Sequence, residues 1–144
     1  MAMTFQVTFD CSNPAAIAGF WAETLGYRPA PPPNGFASWE QWFIKMEVPE
    51  EEWDEGAWIN DPDGRGPTIC FQQVPEGKRG KNRLHLDLDA SAGRTVPMAE
   101  RKRQVVAHSE RLVKLGARTL QGYEQGDHFH IVMQDPEGNE FCVR

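Results

Sequence analysis

Two stretches of strict alternation, far apart in the chain and in the same phase, constrain the fold more than any other feature of this sequence. Residues 5–10 read Phe-Gln-Val-Thr-Phe-Asp and residues 84–89 read Leu-His-Leu-Asp-Leu-Asp. A period of two marks a strand with one face on a core and the other toward something polar. Phe5, Val7 and Phe9 therefore share one face with helices packed on it, as do Leu84, Leu86 and Leu88. Gln6, Thr8 and Asp10, and likewise His85, Asp87 and Asp89, point the other way.

The segments downstream of the two stretches repeat as well. After Asp10, Ser12-Asn13-Pro14 supplies an N-cap with proline at the first helical position, and Ile17, Phe20, Trp21 and Leu25 recur at helical spacing before Gly26 stops the helix. After Asp89 a looser segment leads through Pro97 into a longer helix, with Val105, Ser109, Leu112 and Val113 as its inner stripe and Gly116 as its stop. Ala57-Trp58-Ile59 then runs into Asp61-Pro-Asp-Gly, and Ile131-Val132-Met133 runs into Asp135-Pro-Glu-Gly. In both turns proline presets φ and glycine supplies a positive φ. The strands after these turns align Ile69 with Phe141 and Cys70 with Cys142. The sequence thus predicts a duplicated unit: a single domain over 1–144, with modules at 1–76 and 83–144. Only the first carries an extra segment, about 38–54, where Ser38 caps one short helix and Pro49 followed by acids opens another.

Composition narrows the partners. The chain has 144 residues, 40% of them apolar, which suffices for a core, and a formal charge of −6, which argues against nucleic acid or an anionic membrane. The clustered cations at 78–83 and 101–103 read as a solvated connector and the outer face of a helix. No apolar run approaches the roughly 20 residues of a membrane span. The N-terminus enters alternating structure at once, with no room for a signal peptide. Three cysteines without CxxC spacing do not make a disulfide framework, so a cytoplasmic protein with reduced thiols is expected.

Strand, helix, strand, then two strands joined by an Asp-Pro turn, twice over, resembles the vicinal oxygen chelate (glyoxalase/bleomycin resistance/dioxygenase) superfamily. Its most specific pieces here are Asn13-Pro14…Phe20-Trp21…Leu25-Gly26-Tyr27 and Asp135-Pro-Glu-Gly-Asn-Glu-Phe. Residues 81–88 and the Ser38-Trp-Glu-Gln-Trp segment are similar to compact glyoxalase-like proteins. The resemblance implies an α+β fold in which tandem βαβββ modules form a curved mixed sheet around an open cleft. It also implies a divalent metal held by the first and last strands of each module, at positions that here are Gln6, Cys70, His85 and Cys142. Gln and His fit the first-strand positions. The last-strand positions are normally glutamates, and two thiols in their place suit zinc, nickel or cobalt better than hard oxygen-seeking ions. A shift of one pleat would offer Glu140 or Gln72 instead.

Each of these residues also has a plain reading. Lone strand cysteines such as Cys70 and Cys142 are usually small packed apolar groups. His85 beside Asp87 is a candidate catalytic base or ligand oriented by a carboxylate, and equally a hydrogen-bonded structural histidine. Gln6, Thr8, Trp58, Gln72, His130 and Val132 are candidates to line the cleft, with Trp58 either an aromatic wall for a planar ligand or simple core. His128, near a strand start, reads as solvent-exposed.

Two functions remain open. One is a metal-free, glyoxalase-like binding protein of the bleomycin resistance kind, holding a small molecule in the cleft with no cofactor. The other is a metal-dependent lyase, isomerase or dioxygenase that polarises adjacent substrate oxygens, with His85 and Asp87 in the chemistry. Loss of both glutamates favours the first. Trp39, Trp42 and Trp53, in the extra segment, need cover from the first module's sheet or from a second copy, and a homodimer is expected.

Overall fold

The computed structural model describes residues 1–144, which divide into two compact units, Met1–Gly77 and Lys78–Arg144. In the first unit the order is β1 (Val7–Cys11), α1 (Pro14–Leu25), β2 (Arg28–Pro29), α2 (Trp39–Lys45), a 3-10 helix (Glu50–Glu55), β3 (Gly56–Asn60) and β4 (Ile69–Gln73). The sheet runs β1-β4-β3-β2, with β1 parallel to β4 and the other pairs antiparallel. Asn13 caps α1 by accepting the Ala16 N–H at 3.1 Å, Pro14 stands in its first turn, and Gly26 ends it in the left-handed region at φ 71°. Its buried face is Ile17, Phe20 and Trp21, and the Trp21 ring lies 5.2 Å from Phe9, which lies 5.3 Å from Phe71. One face of the sheet is thereby closed.

The second unit repeats the plan without the insert. It holds β5 (Asp87–Leu88), a 3-10 turn (Gly93–Thr95), α3 (Met98–Lys114), β6 (Arg118–Gln125), β7 (His128–Gln134) and β8 (Glu140–Val143). Its sheet runs β5-β8-β7-β6, again with the first strand parallel to the last. Val105 and Leu112 of α3 are buried, as are Ile131, Met133, Phe141 and Val143 of the sheet.

The fold class is therefore α+β, realised as two four-stranded mixed sheets. The two alternating stretches are shorter as strands than their pattern suggests. Phe5 and Leu84 precede β1 and β5, and at 72% and 71% exposure they do not lie against a helix. The period-two pattern continues past the last residue that has a neighbouring strand to pair with, so it overstates the ends. Val113, expected on the inner stripe of α3, is 47% exposed, one position round the helix from buried Leu112. The tryptophans of the insert have partners inside their own unit. Trp39 stacks on Trp58 at 4.8 Å and 11°, Phe43 stacks on Trp53 at 5.6 Å, and Trp42 meets Trp39 edge-on. The Trp39 indole N–H donates to the Ala30 carbonyl and that of Trp53 to the Val48 carbonyl, both at 3.0 Å. Of the two covers expected for these rings, the first unit itself provides one.

The Asp-Pro turns are held from within. Asp61 accepts the N–H groups of Asp63, Arg65 and Gly66 at 2.8–2.9 Å, and those bonds hold its carboxyl below the usual range. Gly66 is required there: a Cβ would overlap the Tyr27 hydroxyl. Gly66→Ala is expected to lower the urea midpoint by the equivalent of about 1–3 kcal/mol, the usual cost of overpacking. Gly77→Ala, with open space around the added methyl, should leave the midpoint within experimental error.

Candidate functional site

Strand register decides which side chains meet on the face of each sheet that no main helix covers. In the first unit Thr8 pairs with Cys70 and Cys70 with Trp58. In the second, Asp87 pairs with Cys142 and Cys142 with Val132. The two rows are equivalent: first strand, last strand, middle strand.

They differ in what fills them. In the first unit Cys70 is buried, and its sulfur takes hydrogen bonds from the Thr8 hydroxyl and the Trp58 indole. Burial, the dominant effect, still pushes the thiol up, so it stays protonated. Trp58 already carries Trp39 on one ring face. It is a wall, but one the insert already uses. Gln72 donates to the Asp10 carboxylate at 2.8 Å, and Gln6 precedes β1 and is exposed. This row is largely filled by its own residues.

The second unit keeps its row open. His85 Nε2 lies 3.2 Å from Asp87 Oδ1, with both side chains about 40% exposed. One ligand atom each from His85, Asp87 and Cys142 falls within 4.8 Å of the others. Burial and then the Asp87 carboxylate raise the Cys142 thiol, which donates a hydrogen bond to that carboxylate. This places Asp87 between an imidazole and a neutral thiol. One rung further along, His130 stacks on Tyr123 at 5.3 Å and 19°, its partner in register on β6. Val132 sits beside Cys142 with Gln121 across from it. His128 stands apart at the hairpin, exposed, with Arg94 at 3.0 Å and Asp127 at 3.4 Å.

Glu140 lies two residues before Cys142 on β8, yet it is not free to act as a ligand. It accepts the Asn82 N–H at 2.9 Å and pairs with the Lys78 ammonium at 3.1 Å, with only 11% of its side chain exposed. Burial works against its charge, but these donors outweigh burial and bring its pKa down to about 2. So Lys78 and Asn82, expected to be plain solvated connector, are fastened to the last strand. The sequence carried only the weak signal of an acid one pleat from Cys142.

The fold and this row of side chains define a duplicated α+β protein of the glyoxalase class. The match to the glyoxalase-like domain model covers residues 6–144, and the chain belongs to that family. A search of curated proteins returns no match. Among solved structures it is similar to a glyoxalase/bleomycin resistance protein/dioxygenase family enzyme from Burkholderia phytofirmans, at TM-score 0.62 and 16% identity over 96% of this chain and 94% of that one. A mutant of the fosfomycin resistance protein FosX from Listeria monocytogenes matches at TM-score 0.63 and 10% identity, over 100% and 90% of the two chains. That protein is complexed with Mn(II) and a dihydroxypropylphosphonic acid. A glyoxalase-related enzyme from Fulvimarina pelagi matches at TM-score 0.61 and 15% identity, over 99% and 87%. At these identities the likeness shows the fold.

The donors in this chain do not fit a hard ion such as Mn(II). Six-coordinate oxygen-seeking ions want several free carboxylates. Here the nearby Glu140 is clamped, and the row offers one imidazole, one carboxylate and one thiol. Nitrogen, oxygen and sulfur from three residues is a donor set that zinc accepts, and His85, Asp87 and Cys142 would hold it.

The Glu140 clamp has a pH signature. A carboxyl whose folded pKa is depressed adds stability above its unfolded value, and that stability fades as pH falls toward the folded value. Glu140→Gln should therefore destabilise the protein by about 1–2 kcal/mol at pH 7 in urea melts, in line with a charge-assisted hydrogen bond. The difference from wild type should shrink between pH 4.5 and about 2.

Proposed function

We propose that this protein binds a small, oxygen-rich molecule on the open face of its second unit, without a hard metal ion. The observation that carries this is the His85–Asp87–Cys142 row, in which two exposed polar side chains stand beside a neutral thiol. His85 is the principal anchor, with Tyr123 and His130 as a flat aromatic flank and Val132 and Gln121 as the floor beside them. In the first unit Trp58, Thr8 and Gln72 serve mainly as structure, since each already has a partner. The family supports small-molecule handling in general, and a FosX relative is described with a phosphonic acid.

One observation favours a second reading. The three donor atoms lie close enough for a borderline ion such as zinc to gather them with modest movement, leaving a fourth position for substrate. Zinc would supply Lewis-acid polarisation of a substrate oxygen. Asp87 would then lose its role of holding the Cys142 proton, because a thiol must ionise to ligate.

A backbone amide NMR titration separates the two. With chelator present, a hydroxy-phosphonate or α-hydroxy acid probe should shift amides of β5, β7 and β8, and His85→Ala should weaken binding about tenfold, the value of one charge-assisted hydrogen bond. Shifts that vanish with chelator and return only with zinc would replace this reading with the metal-dependent enzyme.

A further inference from the structure

His85 and Asp87 belong to one continuous run, Lys81-Asn82-Arg83-Leu84-His85-Leu86-Asp87-Leu88, whose first residues form no strand but are tied to β8. Glu140 and Cys142 alternate with the buried Phe141 and Val143, so they project together onto the open face. The Asn82 N–H donates to the Glu140 carboxylate at 2.9 Å, and the Asn82 side-chain amide lies 3.5 Å from the Glu140 carbonyl. Lys78 pairs with the same carboxylate and also donates to the Gly80 carbonyl, and Gly80 turns the chain in the left-handed region at φ 64°. These ties fall on both sides of Lys81. The connector is thereby fastened at the Glu140 end of the row, with Lys81 exposed upon it.

The cations around the row are not all matched. Lys78 is paired with Glu140 at 3.1 Å and Arg144 with Asp89 at 3.0 Å, whereas Lys81 has no carboxylate partner. Burial and Asp87 raise the Cys142 thiol, and the positive charges of Lys81 and Arg144 oppose them, which sets Lys81 within electrostatic reach of the sulfur. Asp87 is the remaining negative group, and it is occupied by the thiol proton and by His85. The cation left over is Lys81.

We propose that Lys81 is the specificity-determining residue of the second unit's ligand site, that it takes the carboxylate or phosphonate group of a small hydroxylated ligand, and that the Lys78–Glu140–Asn82 clamp positions it. The inference rests on the ligand site read at His85, Asp87 and Cys142, and it names the substrate class as small hydroxy-acid anions. An ammonium is a compact charge with three donors, which suits an oxyanion. The clamp acts in two ways. It fixes the connector backbone, so that binding has only the Lys81 side chain to order. It also cancels the Glu140 charge, which would otherwise repel an anion arriving on the same face.

Lactate and lactamide share a skeleton and differ by one charge, so the pair isolates the anion, titrated by backbone amide NMR with chelator present. Wild type should bind lactate about tenfold tighter than lactamide, the worth of one charge-assisted hydrogen bond, and added salt should narrow the gap. Lys81→Met should remove that advantage by weakening lactate alone. 1-Hydroxyethylphosphonate, the same skeleton with a phosphonate, distinguishes the two acid groups: the tighter binder names the natural one, and both should depend on Lys81. Glu140→Gln deletes a negative charge, which by Coulomb's law alone would tighten lactate binding. Loss of the clamp should instead weaken lactate and spare lactamide. Arg79→Met, an exposed cation of the same connector, should change neither. Lactate binding untouched by Lys81→Met but weakened by His85→Ala would overturn the role of Lys81 and leave the ligand site standing. No binding of any probe to wild type would overturn both.

Discussion

Everything distinctive here depends on one kind of contact: the last strand of each unit lying parallel against the first. β4 on β1 and β8 on β5 join residues about 55 to 62 positions apart, and both pairs are parallel. Parallel neighbours need a long crossover, which the helix and the middle strands supply. The register so fixed sets Thr8 beside Cys70 and Asp87 beside Cys142. A slip of one residue in β1 would send its polar side chains toward Trp21 and take Thr8 from beside Cys70. The hydrophobic face against α1 and α3 therefore fixes the geometry of the opposite face.

The equivalence of the units makes their differences informative. Where the first has a buried thiol between a hydroxyl and an indole, the second has a half-buried thiol beside a carboxylate and an imidazole. The aromatic insert supplies a stacking partner for Trp58, and the second unit has no counterpart to it. The side chains of the first row bond to or stack on one another, and those of His85 and Asp87 in the second stay exposed.

Much of this was legible in the sequence, because the signals were periodic or local. The pairing of Cys70 with Cys142 and of Trp58 with Val132 came from aligning the Asp-Pro turns, and the observed ladders place both sets at equivalent rungs. The caps at Asn13 and Ser38 were legible for the same reason. The exposure of Phe5 and Leu84 was not, because alternation does not say where a partner strand ends. Nor was the Lys78–Asn82 clamp on Glu140, which joins residues 58 and 62 apart through side chains with no shared pattern. Asp87 and His85 were visible as neighbours on one face, but their distance from Cys142 came only with the register.

The central claim is that thiols in place of carboxylates remove hard-metal chemistry from this member of the glyoxalase class. Elemental analysis of protein purified without chelator or an affinity metal, across Mg, Mn, Fe, Co, Ni and Zn, tests it most directly. The account predicts no stoichiometric Mg, Mn or Fe. One equivalent of Mn or Fe per chain, lost in His85→Ala, would contradict it.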